Sequence, residues 1–169
     1  MNILHPVILL SGLILAAHAM AHDLWLERQA DSYVLYQGHR HSSHAGAELV
    51  PYSADFVHRV NCAQTDGSNK TLAAAADYPM RFQASCAALV VAASSGVWSK
   101  TVYGIQHQPP AGLSNVIHSW RSHESVKRLD AWSEALTEPL GEALELVPIN
   151  DPFALQEGDK LRLLVTYQG

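Results

Sequence analysis

The chain has 169 residues, with 11 Lys and Arg against 16 Asp and Glu, for a formal net charge of −5 with histidines neutral. That length suits one domain with a real core, and 48% hydrophobic residues can fill it. The acidic balance and the lack of a basic stripe argue against nucleic acid as a partner.

Met1–Ala21 reads as a cleaved signal peptide. Val7–Leu10 and Leu13–Ala17 form an apolar centre too short to span a bilayer comfortably, and Ala19-Met20-Ala21 has the small-x-small pattern of a cleavage site. All 16 acidic and all 11 basic residues lie after Ala21, an asymmetry expected of a leader and not of a buried N-terminal helix. Residues 22–169 are then a single exported domain, with no later apolar run of membrane-spanning length and no membrane insertion after cleavage.

Short β-forming segments between turn signals follow, predicting strands near 24–28, 33–38, 80–85, 87–93, 143–148 and 161–168. Ala87–Ala92 is a continuous apolar run, as in a strand covered on both faces. Gln106–Asn115, with Pro109, Pro110 and Gly112, is a loop. In Glu124–Leu136, the spacing of Val126, Leu129, Trp132 and Leu136 favours a short helix or mixed structure over a strand with an irregular crossover. The fold class is all-β, an antiparallel β-sandwich with one short helical or irregular insertion. Cys62 and Cys86 read as one disulfide in an oxidising compartment, since metal-site cysteines usually come in closer pairs.

Histidine carries the chemical signal. Without His5 and His18 of the leader there remain His22, His39, His41, His44, His58, His107, His118 and His123. In an extended segment His39 and His41 point to one face about 6–7 Å apart, and His44 can join through the turn at Ser42-Ser43. Neutral imidazole suits Ni, Co, Cu and Zn. Cleavage after Ala21 makes His22 the first mature residue, with a free amine beside its imidazole. Cleavage after Ala19 instead gives Met20-Ala21-His22, a square-planar nitrogen geometry suited to Cu(II) and Ni(II). The expected metal site uses His22 with at least one of His39, His41 and His44; His107, His118 and His123 are the next candidates. If the first two strands run antiparallel, the end of the second returns toward the start of the first and brings the cluster to His22. The sequence offers no nucleophile elbow, no His-Glu-x-x-His helix and no phosphate loop, so no catalytic residue is assigned.

The segment His22-Asp23-Leu24-Trp25-Leu26-Glu27 resembles the AHDFWLE opening of a bacterial periplasmic family known as a domain of unknown function. The resemblance continues at Gly38-His39-Arg40, Trp98-Ser99-Lys100-Thr101, Ser119-Trp120-Arg121-Ser122, the block Pro139–Pro148 and Gly158–Leu161. Members are described as periplasmic components of nickel or cobalt uptake systems. The resemblance implies an Ig-like β-sandwich, a periplasmic location, and a membrane metal-uptake transporter as partner. Longer members continue past the last strand into a second β-sandwich module, whereas this sequence stops at Gly169. Two other readings compete: an envelope interaction β-sandwich with incidental histidines, and a copper enzyme built on the N-terminal histidine.

Overall fold

The structure, a computed structural model, describes residues 22–40, 49–74, 77–141 and 144–167. The proposed leader, Met1–Ala21, and the cluster histidines His41 and His44 lie outside the described residues. The described chain is all-β. Its only helical pieces are three 3₁₀ turns, at Ala54–Phe56, Glu134–Thr137 and Pro152–Ala154.

Strands β1 (Asp23–Gln29) and β2 (Ser32–Gly38) form an antiparallel hairpin, and β5 (Arg81–Gln83) pairs with β2. A second antiparallel sheet has the order β10-β6-β3-β4, from β3 (Val57–Ala63), β4 (Asn69–Thr71), β6 (Ala88–Ala93) and β10 (Glu124–Leu129). The two sheets pack face to face as a β-sandwich. Leu26, Tyr33, Leu35 and Phe82 of the first sheet meet Val60, Cys62, Leu89 and Val91 of the second, all nearly inaccessible to solvent. Each such side chain withdrawn from water stabilises the fold by about 1.5–3 kcal/mol before entropy is counted.

Strand β6 explains its own apolar run. Leu89, Val91 and Ala93 face the sandwich core, while Ala88 packs on the other side with Ala63, Ala87 and Leu136. That outer side is also covered by a hairpin of β11 (Leu144–Pro148) and β12 (Leu163–Tyr167). Ser125 Oγ donates to Leu144 O at 2.8 Å, and Lys127 of β10 pairs with Glu145 of β11.

A third small sheet, β8-β7-β9, comprises β7 (Val97–Thr101), β8 (Gly104–Gln106) and β9 (Val116–Arg121). It prolongs the β6–β10 ribbon. Glu124 pairs with Ala93, then Arg121 pairs with Val97, so the register slips by one residue across Ser94-Ser95-Gly96. Ser122 N donates to Gly96 O at 3.0 Å and closes the junction.

The expected all-β sandwich is what the chain forms, but the leaning toward a helix in Glu124–Leu136 is corrected. Glu124–Leu129 is a strand, followed by an irregular segment and the 3₁₀ turn. Val126 and Leu129 look like a helical stripe because the strand is covered on both faces. Val126 packs on the sandwich core, and Leu129 packs on the cluster behind it. Backbone pairing with β6 along its whole length outweighs the weak helical spacing.

Cys62 of β3 is bonded to Cys86, just before β6, with a Cα–Cα separation of 5.4 Å and a sequence separation of 24. The bridge therefore crosses between neighbouring strands and closes β4 and β5 into a loop. Replacing both cysteines with alanine is expected to lower stability by roughly 3 kcal/mol on the chain-entropy account. Urea unfolding checks this; an unchanged midpoint would mean that the bridge constrains nothing.

Candidate functional site

The β1–β2 hairpin sets the geometry of the candidate metal corner. Its register pairs Asp23 with Gly38, so the residues just beyond each end, His22 and His39, are neighbours. Their ring centres lie 5.0 Å apart in an edge-to-face arrangement. His22 is exposed and His39 half-buried. Two imidazoles sharing one ion, with N–metal bonds of about 2.0–2.1 Å, hold their ring centres on the order of 4.5–5.5 Å apart. The spacing of this pair fits such an ion.

Glu124, the first residue of β10, is close enough to His22 for their charges to interact. Burial pushes its carboxyl above the ordinary range, and the His22 charge pulls against that shift. Among the described residues no group of three or more His, Cys, Asp or Glu side chains is gathered in a metal-binding arrangement. The described donors are thus a histidine pair, and the remaining predicted ligands, His41 and His44, fall outside the described residues.

The pair stands beside an aromatic recess. Trp25 and Tyr36 are directly opposite in the hairpin and stack at 5.6 Å, and the Arg40 guanidinium lies 5.9 Å from the Trp25 ring centre. Trp25 Nε1 donates to Glu27 Oε1 at 3.1 Å. With His39 and Leu49 these residues enclose about 300 Å³. The recess is not apparent from the residue pattern alone. The signal for it was the two-residue turn Ala30-Asp31, which fixes Trp25 opposite Tyr36.

The other described histidines lie apart from this pair. His58 is exposed on β3, and His118 stacks on Trp120 at 5.6 Å on β9. His107 stacks on Trp98 at 4.4 Å, and His123 is exposed between β9 and β10. His107 and His58 line a separate cleft of about 640 Å³ between the sandwich and the β7–β9 extension.

Cys62 and Cys86, predicted as a pair, are bonded to each other and so are unavailable as metal ligands. No helix among the described residues is long and apolar enough to cross a membrane. A disulfide of this kind is characteristic of proteins that leave the reducing cytosol.

No curated protein and no solved structure matches the chain. A family model described as a domain of unknown function (DUF4198) matches residues 19–169 and so spans all the described strands, the histidine pair and the cleft. The chain belongs to the DUF4198 family.

Proposed function

We propose that this protein is an exported, non-catalytic module that binds a divalent transition metal, Ni(II) or Co(II), and presents it to a membrane metal-uptake transporter. The observation that carries the reading is the meeting of His22 and His39 at the paired ends of β1 and β2. Two neutral nitrogen donors favour a late first-row ion over Ca or Mg. Leader removal before His22 would add an amine at the same corner, and His41 and His44 follow His39 closely enough in sequence to complete the ligand set. Protons compete for the same nitrogens, so acidification weakens binding.

The test is calorimetry of the signal-cleaved protein with Ni(II), Co(II), Cu(II) and Zn(II). His22→Ala and His39→Ala are each expected to weaken Ni(II) binding by more than the roughly 10–100-fold that losing a merely orienting neighbour costs. A His41→Ala/His44→Ala variant reports whether the cluster contributes. Unchanged affinity in all three variants would refute the site. The alternative, an interaction β-sandwich of the cell envelope, is favoured by the β11–β12 hairpin, where Leu144, Leu146, Leu163 and Val165 are each about half exposed or more. Wild-type protein that binds none of the four metals would favour that alternative.

A further inference from the structure

The cleft between the sandwich and the β7–β9 extension is separate from the histidine pair, and two of the sequence blocks singled out above converge on it. We infer that this cleft is a binding site for a small organic carboxylate, with Arg121 as its anchor and the Ser94-Ser95-Gly96 junction as its fixed wall.

One wall is held rigid by a closed set of contacts. Trp98 Nε1 donates to Ser95 Oγ at 3.0 Å, and the Ser95 and Ser122 hydroxyls are 2.7 Å apart. Ser95 N donates to Ser122 Oγ at 2.7 Å. The His107 ring lies stacked on Trp98, and its Nε2 is bonded to Ser95 O. A carbonyl only accepts, so Nε2 carries the proton. Gly96 has φ +88°, and a Cβ there would stand 3.2 Å from His107 Nε2, so the junction needs glycine both for its backbone and for the ring beside it.

Arg121 lines the same cleft at the end of β9. Its guanidinium has no hydrogen-bond or ion-pair partner among the described residues. Asp55, His58 and His107 also line the cleft. The Asp55 carboxylate accepts from Ser53 Oγ, and no ion pair between it and Arg121 is found among the described residues. An unpartnered guanidinium in a concave site, beside two imidazoles, selects a planar anion that it can grip with two parallel hydrogen bonds. Pro51, Phe56 and Val57, which also line the cleft, give the carbon body of such an anion an apolar floor. A volume of about 640 Å³ falls within the range of small-molecule sites.

The test uses the signal-cleaved protein in metal-free buffer, with succinate as the probe, followed by amide and indole NMR. Succinate is expected to shift the resonances of Gly96, Trp98 and His107, while neutral succinamide leaves them in place. Arg121→Gln should weaken succinate binding at least tenfold with an unchanged folded spectrum. Lys100→Gln, which removes an exposed charge outside the cleft, should leave binding as it is. Equal binding of succinate and succinamide, equal loss in the two variants, or shifts confined to other surfaces would each overturn the assignment. Inorganic phosphate binding as tightly as succinate would also overturn it, by showing a site for anions in general.

Discussion

Glu145→Ala is expected to destabilise the protein by about 3–5 kcal/mol, because it leaves a buried ammonium without its counter-charge. The Glu145 side chain is 2% exposed and that of its partner Lys127 is 11% exposed. One carboxylate oxygen holds Lys127, and the other accepts from Leu140 N at 2.8 Å. The pair therefore joins β10, β11 and the loop entering β11. Glu145→Gln keeps an acceptor for Leu140 N and is expected to cost less. Replacing both partners with apolar residues, Lys127→Met with Glu145→Leu, should recover most of the loss, since no charge then remains in the interior. Urea unfolding of the three variants decides the matter. A cost below about 1 kcal/mol for Glu145→Ala would mean that the pair is solvated, as surface ion pairs are.

That pair also shows where sequence patterning stops working. Leu144, Glu145 and Leu146 invite the reading that the leucines point inward. The fold does the reverse: Glu145 and Val147 are buried, and Leu144 and Leu146 are more than half exposed. The strand position itself was legible, but its facing was decided by a lysine on a distant strand. The same limit hid β3. Its Val57, Val60 and Cys62 are core residues, yet His58, Arg59 and Asn61 break the alternation around the irregularity in its pairing with β6. By contrast, β1, β2 and β6 followed from local cues, and the disulfide from the presence of just two cysteines.

The candidate site divides along the same line. His22 and His39 meet because they flank one tight hairpin, a contact that strand order alone predicts. Glu124 reaches His22 from the other sheet. Arg121 and His58 share a cleft only because the β6–β10 ribbon is prolonged by β7 and β9. Such placements depend on packing between segments far apart in the chain, which a linear reading does not resolve.

Tyr33→Ala is expected to cost about 4–5 kcal/mol, the upper end of the range for truncating a large core side chain. Tyr33 is inaccessible to solvent and packs among Leu35, Phe82 and Leu89 of the sandwich core. Its hydroxyl also ties three segments together. It donates to Asp130 Oδ2 at 2.7 Å and meets both the carbonyl and the amide of Cys86 at 3.2 Å. Tyr33→Phe separates the two contributions: it keeps the ring and loses the hydroxyl, so about 1–2 kcal/mol is expected. The smaller variant should also carry a pH signature. Burial raises the Asp130 carboxyl, but the hydrogen bonds from Arg128 and Tyr33, with the charges of Arg128 and Arg28, outweigh it and leave the group below its ordinary value of 3.8. A carboxyl depressed in the folded state stabilises the fold fully above that ordinary value, and the contribution is lost as pH falls through the folded value. Tyr33→Phe removes one of the lowering contacts. The gap between the two proteins should therefore be widest near neutral pH and narrow on acidification below 3.8, where Asp130 becomes protonated in both. Chemical denaturation of wild type and Tyr33→Phe across that interval measures the gap directly, and a gap that stays constant with pH would show that the hydroxyl does not act through the Asp130 carboxylate.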